Sequence, residues 1–596
     1  MRGRSQWRRA AWCAVVGLHA VAPVAVEASA HLSVADVQAS QWTGGLLDNT
    51  AFVPGDDARP AHQGFEGTLS IEESQMTTWP SAFTHSKVLG RNPLIFPRVR
   101  LQFFTVDGDL VPVTQDVIRS GSVDIGTSFW DIIVQPGRVW SEPGDDGWSR
   151  AAFPFALVHS LEGETHNGVA LFMYRGHQVS RLRFQIVQQT APFYIADYFS
   201  AAGAARVAFE PTTIDNLEAL TRTYRASVAD NVRFAEWADL AAKVGPKRLE
   251  DFDSALPQSD GVAAGLDYQG VFYLKYCRSA AGPLPWCERA RFGVWSATKA
   301  LANETALLRL AQKYGPGVFD LRIKDYVPAA AAYPGWQSVR FRDAINMATG
   351  LGNGSNRREP NESEDGYLEG SYSLWYEARS ENHKVEALLK SGARYPWEPG
   401  QVTRYRDQDM FILGVAMDEY LKSKEGPAAS IWSMLEKEVY EPIGIHYAPT
   451  NRTIEADKRV GQPLMAFGYY PTIGDMVKIA RLYQNGGRVA DVQVLYRPGI
   501  AALSAGTTPR GLPTGQKTAS GETTYFNAFW ETQYRAIGGC KLYVPVMEGW
   551  GGNLVVLMPH ELIAVRLAKS PQERAGVAGD PTSMLMTADR LAPFCP

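Results

Sequence analysis

The chain has 596 residues, a formal net charge of −4, 45% hydrophobic and 20% charged residues, and 5 cysteines. That length exceeds one ordinary domain and predicts two or three, with the composition of a globular protein. The small net charge gives no basis for a nucleic-acid or anionic-membrane partner, and no long charge runs, repeats or low-complexity segments occur.

Arg2, Arg4, Arg8 and Arg9 precede an apolar run from Ala10 to Val26, and Ala28-Ser29-Ala30 fits a small-x-small cleavage site. Residues 1–30 therefore predict a cleaved signal and a periplasmic or secreted protein. The run is short and broken by His19 and Pro23, which argues against a stable membrane anchor. Cys13 leaves with the signal, and the even set Cys277, Cys287, Cys540 and Cys595 predicts disulfides in an exported chain. Three pairings are possible; the local one, Cys277–Cys287 with Cys540–Cys595, is expected. The histidines are scattered without metal-ligand spacing, so neither a metal nor a cofactor is implied.

Residues 31–212 read as a β-rich domain of unassigned role. Val99 to Val106, the turn Asp107-Gly108 and Asp109 to Val113 form a hairpin signal. Val169 to Tyr174 is a second apolar run. In Ser180 to Val187, apolar Leu182, Phe184 and Ile186 alternate with polar residues, as in a half-buried strand. Glu164-Thr-His-Asn-Gly168, between two strands, is open to a binding role or a polar turn, and the polar turn is expected. Residues 213–254 form a helical connector, with Leu217, Leu220, Tyr224 and Val228 on one stripe and a stop at Gly245-Pro246.

The remainder, 255–596, is a mixed α/β stretch with a strand at Gly270 to Tyr276 and a terminal hairpin, Asn553 to Met558 and Leu562 to Leu567, across Pro559-His560-Glu561. Ser296-Ala297-Thr298-Lys299 is the only Ser-x-x-Lys in the chain, ahead of an amphipathic helix, Leu301 to Tyr314, that stops at Gly315-Pro316. This places Ser296 at a helix start and Lys299 one turn on, on the same face. A serine needs a base within hydrogen-bond reach, a desolvated lysine can be that base, and a helix N-terminus supplies N–H groups where an oxyanion forms.

Downstream segments follow in a familiar order: Leu321 to Pro328; Val339 to Leu351; Glu398-Pro-Gly-Gln-Val-Thr-Arg-Tyr-Arg-Asp407 with Ile412-Leu-Gly414; Tyr440 to Ile445; and Ile473 to Ala480 with Asn485-Gly-Gly487. Together with Ser296-x-x-Lys299 they resemble the serine β-lactamase/penicillin-binding-protein family in its class C-like branch, nearest to family VIII carboxylesterases and 6-aminohexanoate-oligomer hydrolases. The resemblance implies an α+β fold, an antiparallel sheet flanked by helices, over 255–596. Where β-lactamases carry Lys-Thr-Gly, this chain has Trp550-Gly551-Gly552, which resembles the Trp-Gly-Gly of the esterases. The rival Lys517-Thr518-Ala519 lacks the glycine and is read as a loop.

By position, the resemblance makes Ser296 the nucleophile, Lys299 its base and Tyr405 the proton-shuttling tyrosine. It puts the backbone N–H groups of Ser296 and Asn553 in the oxyanion hole, with Trp295, Asp407, Trp550, Gly551 and Gly552 around the substrate. Glycines at 551 and 552 would let substrate lie against the strand edge. The family's Tyr-x-Asn is here Tyr405-Arg406-Asp407. An ionised Asp407 that reached Lys299 would stabilise the ammonium and shift base work toward Tyr405; the alternative is that Asp407 faces solvent or Arg406.

A tryptophan in place of the Lys-Thr-Gly cation, with Trp295 beside the serine, implies neutral, fairly apolar esters or amides rather than anionic β-lactams. The expectation is an exported serine hydrolase, a carboxylesterase first, acting on a small molecule. An amidase, β-lactamase or D-peptidase of the same fold, or a non-catalytic binder of cell-wall fragments, stands as the alternative. No Gly-x-Ser-x-Gly occurs, which disfavours an α/β-hydrolase. Oligomeric state is not legible.

Overall fold

The computed structural model describes residues 26–27 and 32–595, apart from 41, 43, 86–89, 121–126, 194–195, 353–369, 391–392, 519–520 and 572–573. Except for Val26–Glu27, the expected leader and its cleavage site lie outside the described residues. Among the described residues no helix is long and apolar enough to cross a membrane.

The N-terminal part holds two main sheets. One has eight strands, with Ser149–Val158, His166–Arg175, Leu182–Gln189 and Ser200–Ala205 at its centre, all antiparallel. The other has four, in the order Val207–Glu210, Glu66–Ile71, Val99–Val106, Asp109–Pro112. The predicted hairpin closes through Asp107 and Gly108, both left-handed at φ 52° and 84°, the conformation an Asp-Gly turn is selected for.

Two expectations for this part are corrected. Leu182–Gln189 alternates apolar and polar residues, yet every residue of it is buried. Its polar face is covered by the chain start: Arg183 donates to the carbonyls of Asp36 and Ala39, and Gln185 to Leu47 O and Asn49 Oδ1. Glu164 to Gly168 is likewise no surface turn. Glu164 and His166 are completely buried, 2.9 Å apart. Burial pushes the Glu164 carboxyl well up and the His166 imidazole down to about 3, so a neutral acid faces a neutral ring.

The connector is two helices, Leu217–Ala229 and Trp237–Val244, the second ending at left-handed Gly245. Between them Phe234–Glu236 joins the edge of the C-terminal sheet, pairing in parallel with Val271–Ser279. This strand falls inside the stretch read as wholly helical, because three residues are too few to carry a period-2 signal.

The C-terminal sheet has ten strands. Its main run is Phe234–Glu236, Val271–Ser279, Gly261–Tyr268, Ile563–Ala568, Asn553–Leu557, Lys541–Gly549, Phe529–Arg535, Gly521–Phe526 and Leu512–Thr518. Helices pack on it, and one continuous hydrophobic core extends into the N-terminal sheets. Lys517 and Thr518, read as loop, belong to its outermost strand; Ala519 lies outside the described residues. The terminal hairpin turns through left-handed His560 and Glu561. Disulfides join Cys277 to Cys287 and Cys540 to Cys595.

Candidate active site

The stretch 291–300 is buried throughout except at Ser296. Two features lift that one side chain out. Trp295 before it is left-handed at φ 49°, a conformation that costs a bulky residue on the order of 1–3 kcal/mol and persists only when its surroundings hold it. Its indole N–H donates to Ala191 O at 2.9 Å, and its ring packs beside Gly163, where a Cβ would come 3.2 Å from Cε3. After Ser296 the chain becomes helical, and Lys299–Glu304 winds as a π-helix before Thr305–Tyr314 continues as α-helix. The wide turn was not legible, since its residues are ordinary helix formers.

Lys299 is fully buried, with Nζ donating to Ser296 Oγ at 2.7 Å and to Ala466 O at 3.0 Å. It stands 2.6 Å from Asp407 Oδ1 and 4.7 Å from the centre of the Tyr405 ring. Burial pushes its pKa down, and Asp407 opposes that shift. Asp407 therefore does reach Lys299, and Arg406 pairs instead with Asp409, at 2.8 Å, in a fully buried contact. Asp407 opens the helix Asp407–Glu425, where the free N–H groups and dipole favour a carboxylate. Its other oxygen accepts from the Tyr372 hydroxyl at 2.8 Å.

Tyr405 hydrogen-bonds with Ser296; burial first, and then the Asp407 charge, hold its phenol well above the usual range. Its ring stacks on Trp530 at 5.7 Å and 10° and meets Tyr525 edge-on. Packing, not a flexible loop, fixes its hydroxyl.

Ser296, Tyr405, Asp407, Trp295 and Trp550 line one cavity of about 280 Å³. Three sequence expectations do not. Gly551 and Gly552 form the turn between Lys541–Gly549 and Asn553–Leu557, left-handed at φ 83° and 92°. A Cβ on Gly551 would come 2.1 Å from that of Ala191, and one on Gly552 2.9 Å from that of Ala578. These glycines admit neighbouring chain, not substrate. Asn553 is buried behind the turn, its backbone paired with Gly549, its Nδ2 donating to Trp550 O at 2.8 Å and its Oδ1 accepting from Ala568 N at 3.1 Å.

The backbone that approaches the Ser296 segment is earlier, at Gly549, whose Cβ would sit 2.0 Å from Val294 O and 3.2 Å from Ala297 N. Gly549 and Trp550 both line the cavity. Gly551→Ala is expected to cost about 2–4 kcal/mol, from left-handed strain plus overpacking. A lowered urea or thermal unfolding midpoint is the readout; an unchanged midpoint would contradict this packing.

Sequence reasoning missed the N-terminal part's contribution. Trp295 and Trp550 hang from consecutive carbonyls, Ala191 O and Pro192 O, the latter at 2.8 Å, and Phe193 lines the cavity. Gly293 N donates to Thr165 Oγ1, and its missing Cβ leaves room for Gly163 O. No local pattern signals such a contact. Glu548 was missed as well; it sits at the end of the strand Lys541–Gly549, two residues before the tryptophan of the recognised motif. Phe467, Tyr372 and Trp530 complete the aromatic wall.

A family model described as Beta-lactamase matches residues 254–584. Among curated proteins nothing matches the chain. Solved structures similar to it include a penicillin-binding-protein homologue from Caulobacter crescentus, with 14% identity over 57% of this chain and 97% of that one and a TM-score of 0.39. A family VIII carboxylesterase has 16% identity over 58% and 96%, with a TM-score of 0.38. A D-stereospecific amidohydrolase from Streptomyces sp. has 12% identity over 59% and 98%, with a TM-score of 0.37. The matched segment spans more than half of the chain and holds the serine, the lysine, the tyrosine and the strand edge that meet at the cavity, and members of the matched family are serine hydrolases. The chain belongs to the β-lactamase family.

Proposed function

We propose that this protein is an exported serine hydrolase that cleaves carboxylic esters, and secondarily amides, through an acyl-enzyme on Ser296. The observation that carries the reading is the buried Lys299 amine 2.7 Å from the Oγ of Ser296, which lines a cavity. Desolvation favours the neutral amine, which is what a base must be. In this reading Lys299 takes the Ser296 proton as Oγ attacks the carbonyl carbon. The oxyanion is held by the N–H of Ser296 and, in place of Asn553, that of Trp550 beside Gly549.

Tyr405 gives a proton to the leaving alkoxide or amine and is reprotonated through Lys299. Water then attacks the acyl carbonyl with the same groups reversed, releasing the acid and free serine. The raised pKa of Tyr405 disfavours a resting phenolate, so base work stays with Lys299. The cavity's aromatic wall and its two carboxylates, Asp407 and Glu548, disfavour anionic substrates.

Two disulfides and the N-terminal leader pattern support export. Labelling the intact protein with a fluorophosphonate and mapping the modified peptide tests the nucleophile; the adduct is expected on Ser296, and an adduct elsewhere overturns the assignment. Comparing a p-nitrophenyl ester with the matching anilide on one preparation separates esterase from amidase.

A further inference from the structure

One charged group in the cavity has no part in this chemistry. Glu548 lines the same wall as Gly549 and Trp550, and its carboxyl lies against Gly579, where a Cβ would come 2.5 Å from Oε1. The glycine leaves room for the acid. Among the described residues no hydrogen bond or ion pair satisfies that carboxyl.

The nearest candidate cation, Arg566, is spent elsewhere. Its Nε donates to Gly552 O at 3.0 Å, its Nη1 to Asp253 Oδ1 at 2.8 Å, and its Nη2 to Ala578 O. Lys517 at the rim is exposed and faces Glu522 at 4.0 Å. Asp407, the cavity's other carboxylate, is held on both oxygens, by Lys299 at 2.6 Å and by the Tyr372 hydroxyl at 2.8 Å. Among the described residues Glu548 is thus the cavity acid left without a partner, its carboxyl pushed up to about 7 by burial, with Arg566 opposing and Asp580 adding to the shift. Trp295, Trp550, Phe193 and Phe467 line the same cavity. A lone carboxylate among aromatic rings suits a desolvated organic cation, which pairs with the acid and lies against the rings.

We propose that Glu548 is a specificity residue that recognises a cationic substituent, an ammonium or quaternary ammonium, on the ester or amide substrate. This deepens the hydrolase reading and rests on it. The test uses two pairs of shape-matched esters. In one pair the charge is in the acyl half, p-nitrophenyl 4-(trimethylammonio)butyrate against p-nitrophenyl 5,5-dimethylhexanoate. In the other it is in the alcohol half, a choline ester against the 3,3-dimethylbutyl ester of the same acid.

The expected result is a kcat/KM ratio of about 10 or more in favour of the cation in at least one pair. Glu548→Gln should bring that ratio to near one, and Glu548→Asp, which keeps the charge, should retain part of it. The ratio is taken within one preparation, so partial misfolding cancels. Turnover without preference for the cation in either pair, or a preference that survives Glu548→Gln, overturns the inference alone. Absence of turnover of all four esters together with no fluorophosphonate adduct on Ser296 removes the hydrolase reading and this inference with it.

Discussion

Replacing Ser296 by alanine is expected to lower kcat/KM toward p-nitrophenyl esters by about 10⁴-fold or more, leaving the unfolding midpoint nearly unchanged. The side chain is small and faces the cavity, so its loss opens no core void. Lys299→Ala should cost a comparable factor, because an unactivated hydroxyl is a poor nucleophile. The double variant should fall little further, since the two groups act as one unit. Steady-state kinetics on all three proteins, with folding checked by circular dichroism, decide the matter. A Ser296→Ala protein that kept a tenth of the activity, or a double variant at the product of the two single losses, would separate these residues from the chemistry.

That serine and lysine were readable because their relation is local. Three residues on a helix fix a distance whatever the rest of the chain does, and the structure returns it as a 2.7 Å contact. The last hairpin and the Asp107-Gly108 turn were readable for the same reason: alternation and turn chemistry are written within ten residues. What failed was long-range. Gly551 and Gly552 follow the tryptophan of a recognisable motif, yet their missing side chains accommodate Ala191 and Ala578, far away in sequence.

The polar residues on Leu182–Gln189 pattern as solvent-facing but meet the backbone of the chain start. Glu164 and His166 read as a turn because charged types are normally exposed; burial holds both neutral, and they share a hydrogen bond inside. The tie between Trp295, Trp550 and residues 191–193 shows why the N-terminal sheets matter to the site: they hold the strained residue next to the serine and close one wall of the cavity.

Asp407→Asn is expected to move the acidic limb of the kcat/KM–pH profile to lower pH. Asp407 lies 2.6 Å from Lys299 Nζ and raises the lysine pKa against the larger effect of burial. Removing the charge leaves desolvation unopposed, so the ammonium gives up its proton at lower pH and the neutral amine persists further into acid. If the limb reports Lys299, it must therefore shift down. A tyrosine base would predict a downward shift as well, since the same carboxylate also raises Tyr405.

Tyr405→Phe tells the two apart. With lysine as base the limb remains in that variant, on a rate lowered by the missing proton donor; with tyrosine as base it disappears. An asparagine keeps an acceptor for the Tyr372 hydroxyl, so the change in the profile is one of charge and not of collapse. An unmoved limb in Asp407→Asn would mean that this carboxylate, despite its contact, does not set the protonation of the group that activates the serine.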